Sequence, residues 1–333
     1  MGHEFAAPGR RIVLRTGIAL AAGAVLGLYP AAAQEEKFPA KTITMVTHAG
    51  PGGGTDITTR MMMVMGRAEL GQELVVLGKT GGSGVAALLF AMSQPKDGYT
   101  VLTVTQSHIF QILLEKVPLK IDDLVGVARA TLDPQIIAVR ADSPITDLKG
   151  LVAASEAKQG GLKWGTTFVG GADHIAIHNF AKAAGGIPYV VVPFRGGGDI
   201  VTNLVGGNLD VALLNYAEGE SQFKSNLIRA VAVLHEQRID TLKDTPTARE
   251  QGINSSAATV RGFAVLKGVP EDRIKVLETG MVKAMKHPVY QVYLSQGGMP
   301  ATSVAGAEEW SRMMRQIYDE SQTALTELGI LKK

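Results

Sequence analysis

The sequence contains no cysteine. That excludes disulfide staples, thiol nucleophiles and every cysteine-ligated metal centre. Charge is sparse too, at 19% of residues, and aromatic side chains make up only 5%. After residue 33 no apolar run reaches the ~20 residues that a helical bilayer span needs, so the chain beyond that point is expected to be soluble. With no disulfides to rely on, it must be stabilised by an ordinary apolar core. Its 333 residues and 46% hydrophobic content supply enough material for one large domain or two medium ones.

The first 33 residues do not read as part of that core. Arg10, Arg11 and Arg15 form a basic start, an apolar run follows from Ile18 to Leu28, and Ala31-Ala32-Ala33 precedes Gln34. This is the layout of a secretory signal peptide with a small-residue cleavage site. A membrane anchor fits less well, because the apolar run is short. The Arg10-Arg11 pair leaves the export route, Sec or twin-arginine, open. The whole sequence has 33 basic and 31 acidic residues, and the leader accounts for three Arg and one Glu, leaving 30 of each sign. A chain of near-zero net charge lacks the basic excess that nucleic-acid binding requires.

Glycine is abundant, at 39 residues, and its placement is informative. Short runs rich in β-branched residues alternate with helical stretches. Thr42–Thr47 is followed by a helix over Thr55–Glu69, a strand at Leu74–Leu77, a helix at Val85–Met92 and a strand at Thr100–Thr105. The pattern restarts with a strand at Ile136–Arg140 and a helix over Asp147–Lys158. Further strands are expected at Leu162–Gly165, Tyr189–Val192, Val211–Leu214, Ile228–Val233 and Gly262–Leu266, and further helices at Asp173–Ala184, Asp199–Val205, Glu271–Lys286, Val289–Ser295 and Ala305–Leu328. Such alternation predicts an α/β fold with a largely parallel sheet. Two series of similar size predict two lobes, with crossovers near Leu132–Pro134 and Thr259–Arg261. Residues 34–133 and 260–333 would then form one lobe and 134–259 the other, with the two crossing strands as a hinge.

Gly-rich or polar loops recur where strands give way to helices. Gly50-Pro51-Gly52-Gly53-Gly54-Thr55-Asp56 opens the first helix. Free amides and the helix dipole suit that place to an anion, and Thr55 or Asp56 could cap the helix. No Gly-Lys-Ser/Thr follows, so it is not a P-loop, and Thr55 stands where a dinucleotide fingerprint wants a small residue; a purely structural turn remains open. Gly78–Gly84 is a second such loop, in which Lys79 is either a local cation or simply solvated. Ser107 and His108 follow a strand end, where open α/β sheets bind ligands; they read as a ligand contact or a helix cap, with a secreted hydrolase centred on them as the alternative function. Thr166, Thr167, Gly170, Gly171 and His174 line another strand-to-helix loop. His174 and His178 share a helix face, but the Glu of His-Glu-x-x-His is missing, so no metal site is expected. Arg195 precedes Gly196, Gly197 and Gly198 in a further loop and is suited either to bidentate carboxylate binding or to plain solvent exposure. Several backbone-rich loops with little acid–base apparatus point to binding rather than turnover, and nothing calls for a cofactor.

The order and spacing of several segments resemble the periplasmic solute-binding proteins of tripartite tricarboxylate transporters, the Bug or TctC family. The segments are Phe38–Thr44, Gly50–Asp56, Pro95–Tyr99, Phe194–Asp210, Leu242–Gly252 and Arg261–Pro270, and the resemblance spans nearly the whole chain. It implies a two-lobed, type II-like periplasmic binding fold that closes around a cleft, no enzymatic activity, and a carboxylate ligand (a dicarboxylate, amino acid or aromatic acid). It also implies transporter membrane subunits or a sensor as partners and a monomeric receptor. Carried over, the ligand loops are Gly52, Gly53, Gly54, Thr55 and Asp56 in the first lobe and Arg195–Gly198 in the second, with Thr166–His174 as a third wall. Two departures stand out. His48 and Ala49 occupy the positions where the family loop often has proline and an aromatic residue, and Phe194-Arg195-Gly196 replaces Tyr-Lys-Gly. These differences leave the distal end of the ligand open.

Overall fold

The computed structural model describes residues 37–332 apart from Phe168 and Arg195. The expected signal peptide, residues 1–33, lies outside the described residues. In chain order the elements are β1 (Ile43–Thr47), α1 (Gly54–Leu70), β2 (Leu74–Gly78), α2 (Val85–Met92), β3 (Thr100–Thr105) and α3 (Gln106–Leu113), then β4 (Leu124–Arg140). They continue with α4 (Leu148–Ala157), β5 (Leu162–Thr166), α5 (Ala172–Ala183), β6 (Tyr189–Pro193), α6 (Gly197–Val205), β7 (Val211–Asn215), α7 (Tyr216–Lys224) and β8 (Ile228–Leu234). The last are β9 (Ala258–Leu266), α8 (Glu271–Lys286), α9 (Pro288–Gln296) and α10 (Ala307–Glu327).

Local chemistry accounts for many of the boundaries. Gly71 ends α1 in the left-handed region at φ 65°, where glycine carries no Cβ penalty. Asp147 caps α4 by accepting the Gly150 N–H at 2.7 Å. Pro288 occupies the first turn of α9, where its missing N–H costs nothing. Two helices that the sequence reading left out, α3 and α7, each follow a strand without an intervening loop and are nucleated by capping boxes, Thr105 with His108 and Asn215 with Glu218.

The strands run in the order β2-β1-β3-β9-β4-β7-β5-β6, with β8 also paired to β4. β1, β2 and β3 are parallel, as are β5, β6 and β7, while β9 and β4 are antiparallel to their neighbours. The largest difference from the sequence expectation is β4. It is 17 residues long rather than confined to Ile136–Arg140, because Leu124–Pro134 pairs with β9 while Gln135–Arg140 pairs with β7 and β8. The partner changes at Pro134, a residue with no N–H to give to a ladder. β9 likewise begins at Ala258, ahead of the expected Gly262. These two strands carry the chain between the two sheet halves, giving a two-lobed α/β molecule with a cleft between the lobes.

Each half has its own core. The first packs Met45, Met62, Phe263, Met281 and Tyr290 together, and the second is built around Trp164 and Phe180, whose rings lie 5.7 Å apart. Burying side chains of this size contributes roughly 1.5–3 kcal/mol each. α10 joins the halves. Its Ala324 and Leu325 pack with Phe110 of α3 and Ile175 of α5, and Glu327 accepts from Lys182 Nζ at 2.6 Å and lies 2.9 Å from His178 Nε2.

Candidate functional site

The chain leaves β1 through His48–Gly53 and enters α1 at Gly54. Gly53 N–H donates to Gly50 O at 3.1 Å, closing a turn, and Gly52 sits at φ +80°, a conformation that a side chain would strain. The N-cap is Gly53, with no side chain folded back on the first-turn amides. Neither Thr55 nor Asp56 is the cap, because both already lie inside the helix. Asp56 instead reaches back from the first turn to accept the Gly52 N–H at 3.0 Å and Arg60 Nε at 2.9 Å. The Arg60 hydrogen bond chiefly holds its carboxyl below the usual range, against desolvation and helped by Gly52. Asp56 thus fixes the loop and leaves the helix N-terminus open, with the partial positive charge of the dipole facing the loop.

Arg261 stands at that N-terminus. A Cβ built on Gly54 would lie 3.0 Å from Arg261 Nη2, so the guanidinium sits tightly against the backbone at position 54, where a side chain would press on it. Arg261 comes from β9, opposite Thr105 of β3 and Thr131 of β4. Opposed residues share a face of the sheet, and alternation along β4 brings Asp133 to the same face, two residues from Thr131. Arg261 Nε is buried without a hydrogen-bond partner, as is Asp133 Oδ1, and among the described residues Arg261 forms no ion pair. Burial pushes the Asp133 carboxyl up to about 7, with Arg261 opposing and Glu218 reinforcing the rise.

Glu218, on the first turn of α7, faces Arg261 from the second lobe. Its Oε2 accepts the Asn215 N–H at 2.9 Å, and the Asn215 amide donates to the backbone carbonyl of Asp133 at 2.9 Å while its oxygen accepts from the Thr259 hydroxyl at 2.9 Å. The carboxylate also lies against the start of α6, where a Cβ on Gly197 would collide with it. Gly196 is the N-cap of α6. The Glu218 carboxylate therefore borders the second-lobe glycine loop at Gly197. Desolvation raises the Glu218 carboxyl, with Asp173 adding to the rise and the Asn215 N–H and Arg261 opposing it. Arg195, the cation expected in this loop, lies outside the described residues.

The third wall is organised by its own side chains. Asp173 Oδ2 accepts the Thr167 N–H at 3.1 Å and the Thr167 hydroxyl at 2.8 Å, and its Oδ1 accepts from Gln135 at 2.9 Å. Gly170 N–H donates to His174 Nδ1 at 2.9 Å, and Gly171 is the N-cap of α5. Thr166 is fully buried at the end of β5. His178 lies 3.0 Å from the Tyr189 hydroxyl and is also engaged by Glu327, so the two histidines serve separate structural contacts, and among the described residues no cluster of metal-ligating side chains forms.

Ser107 and His108 lie on the first turn of α3, directly after the end of β3. His108 is fully buried, and its Nδ1 accepts the Thr105 N–H at 3.1 Å. Burial, then the neighbouring His48, lowers its pKa to about 3, so the ring is neutral and too weak a base for general-base work near neutral pH. No carboxylate among the described residues hydrogen-bonds to it. The helix-cap expectation for this segment holds.

The structure thus brings Gly52–Asp56 together with Arg261 and Asp133 on one side, and Gly196, Gly197 and Glu218 on the other. Arg261, Asp133 and Glu218 were not picked out from sequence. The available signal was a charged residue set in an otherwise apolar strand, as in Thr259-Val260-Arg261-Gly262-Phe263 and Thr131-Leu132-Asp133-Pro134. A separate cavity of about 540 Å³ lies between α3, α5 and α10, bounded by Gln106, Gln135, Ile175 and Arg312 among others. Of the glycine loops, only the third wall reaches it, through Ala172.

Comparison with known proteins places these features in context. Residues 59–330 match the family model described as the tripartite tricarboxylate transporter family receptor. The chain is 27% identical to the protein BugT of Bordetella pertussis over 290 residues, 83% of this chain and 88% of that protein. A TctC solute-binding protein from Polaromonas, solved without ligand, superposes with a TM-score of 0.78 at 26% identity, covering 87% of this chain and 99% of that one. MatC from Rhodopseudomonas palustris, solved with bound malate, superposes with a TM-score of 0.69 at 21% identity, covering 86% and 100%. The fold is that of the periplasmic binding proteins, as the sequence resemblance implied.

Proposed function

Since this chain belongs to the tripartite tricarboxylate transporter receptor family, the Bug or TctC solute-binding proteins, we propose that it captures a small carboxylate in the cleft between its lobes and delivers it to membrane subunits of such a transporter. The observation that carries this is the Arg261 guanidinium at the uncapped N-terminus of α1, next to Gly54 and with its Nε unpartnered. A cation with a planar fork of donors, beside helix amides whose dipole already favours an anion, matches the geometry of a carboxylate. Malate in MatC is consistent with that chemistry.

On this reading the protein works in the periplasm after removal of residues 1–33, as a monomer. Residues 34–133 with 260–333 form one lobe and 134–259 the other, and β4 and β9 flex as the hinge. Gly52–Asp56, Arg195–Gly197, Thr166, Thr167, Gly170, Gly171 and His174 shape the cleft walls, several of them by holding the loops rather than by touching ligand. The chain performs no reaction. Isothermal titration of the exported chain with dicarboxylates, amino acids and aromatic acids tests the proposal. Saturable 1:1 binding of at least one class is expected, and failure of every carboxylate to bind removes it.

A further inference from the structure

The two strands that join the lobes, β4 and β9, have two faces. Thr131, Asp133, Thr259 and Arg261 share the face toward the carboxylate site. Leu132 and Val260 stand directly opposite one another in the register, with Ala258 two residues before Val260. Alternation points these three to the other face, where they line the cavity of about 540 Å³. Cavity and cleft are therefore back to back, with the strand pair between them. Phe110 of α3 and Ile317 of α10 wall the cavity from one lobe, and Ile175 and Asn179 of α5 wall it from the other. Its size falls within the range of small-molecule pockets, roughly 300–1,000 Å³.

The charged groups around this cavity are unequally engaged. Arg129 donates to the carbonyls of Ser303 at 2.8 Å and Thr302 at 2.7 Å, and to Glu309 at 3.2 Å. Glu236 pairs with Arg249 at 3.1 Å, and Glu320 accepts from Gln316 at 2.7 Å. Gln106 is spent on the backbone, donating to the Ala258 carbonyl and accepting the Val260 N–H. Arg312, exposed at the rim, has neither an ion pair nor a hydrogen bond among the described residues. Burial lowers the Arg129 pKa; Glu309 opposes that fall and Arg312 adds to it, so the two guanidinium groups lie close enough to repel. An anion beside Arg312 would relieve that repulsion and engage its free planar donors. We infer that the cavity behind the joining strands is a second binding site, which takes an amphipathic organic anion with its head on Arg312 and its apolar body against Phe110, Leu132, Ile175, Val260 and Ile317. Such an occupant touches both lobes at once. The inference stands independently of the carboxylate reading of the cleft.

Fluorescence titration of the exported chain with 8-anilinonaphthalene-1-sulfonate, an aromatic body carrying one sulfonate, tests the inference. Saturable binding to a single site is expected. N-phenyl-1-naphthylamine, the same body without the sulfonate, should bind about tenfold more weakly. Arg312→Glu reverses an exposed charge and is expected to fold; it should weaken the sulfonate by about tenfold or more and leave the neutral probe within about twofold. Arg312→Lys keeps the charge and should fall between wild type and Arg312→Glu. Asn179→Trp places an indole in the cavity and should weaken both probes by about tenfold. Arg261→Met, on the other face of the strand pair, should leave both within about twofold. A thermal melt of each variant reports that it is folded. Absence of saturable binding, or sulfonate affinity unchanged in both Arg312→Glu and Asn179→Trp, overturns the inference. Sulfonate binding lost in Arg261→Met and kept in Arg312→Glu places the probe in the cleft, which overturns the second site and leaves anion capture in the cleft standing.

Discussion

The His48 and His108 rings meet edge to face with centroids 4.5 Å apart, at the start of the loop that leads from β1 to α1. Burial lowers the pKa of both, His48 further through Arg261 and His108 further through His48. His108 also leaves no room at Gly84, where a Cβ would stand 2.8 Å from its ring. The pair packs beside the Gly50–Gly53 turn, close to the cation at Arg261.

That arrangement makes a prediction about pH. His108 has a folded pKa of about 3 against 6.5 when unfolded. Between those values the unfolded chain binds more protons, so this group makes stability rise with pH. Asp133 has a folded pKa of about 7 against 3.8; there the folded chain binds more protons, so this group makes stability fall as pH rises. Each slope is about 1.4 kcal/mol per pH unit, and between pH 4.5 and 6.5 they oppose each other. Urea unfolding across that range should show Asp133→Asn gaining stability relative to wild type as pH rises, and His108→Gln losing it. Parallel curves for wild type and either variant would contradict the corresponding assignment.

Asp56 separates loop order from helix capping. Asp56→Ala removes the acceptor for the Gly52 N–H and should cost about 1 kcal/mol of stability, the usual worth of one hydrogen bond. It should weaken ligand binding by more than that loss explains, because the Gly50–Gly53 turn loses its tether. Asp56→Asn retains an acceptor and should stay closer to wild type in both respects. Chemical denaturation and titration calorimetry on the two variants provide the comparison.

Arg261 should dominate carboxylate affinity. A charged hydrogen bond contributes about 1.5–3 kcal/mol, so Arg261→Met should weaken the best ligand by roughly tenfold to a hundredfold. Arg261→Lys keeps the charge but loses the planar fork and should fall between. If Arg261→Met binds like wild type, the ligand's anchor lies elsewhere.

Gly262 tests packing behind the site. A Cβ there would overlap the Trp310 indole and stand 2.8 Å from the Ala128 carbonyl. Trp310 is fully buried, so the ring cannot yield cheaply. Gly262→Ala should destabilise the protein by about 1–3 kcal/mol, as overpacking does, and should lower ligand affinity as well by displacing its neighbour Arg261. A melting temperature equal to wild type would show that α10 can shift to accommodate it.

Much of this molecule was legible in its sequence. The strand–helix alternation, the glycine loops at strand ends and the family-like segments all rest on local periodicity and turn chemistry, which are encoded within a few residues of each feature. The α2, β3 and α8 boundaries follow directly from such patterns. The short helices α3 and α7 did not stand out, because each follows directly on the last residue of a strand, which is its N-cap, and only its capping box marks the start. The N-terminal half of β4 was missed for a different reason. Its pairing is with β9, more than a hundred residues away, and Pro134 within it argues locally against a continuous strand. The electrostatics of the cleft depended wholly on tertiary structure. Arg261, Asp133, Glu218 and Gly54 are separated by long stretches of chain, and only strand register and the meeting of two lobes bring them together. Sequence alone determined that this is a two-lobed α/β protein with anion-suited loops. The three-dimensional fold decided which charge each loop faces, because a charge's effect depends on what lies within a few ångströms of it in space, and Glu218 lies against α6 while Arg261 lies against α1.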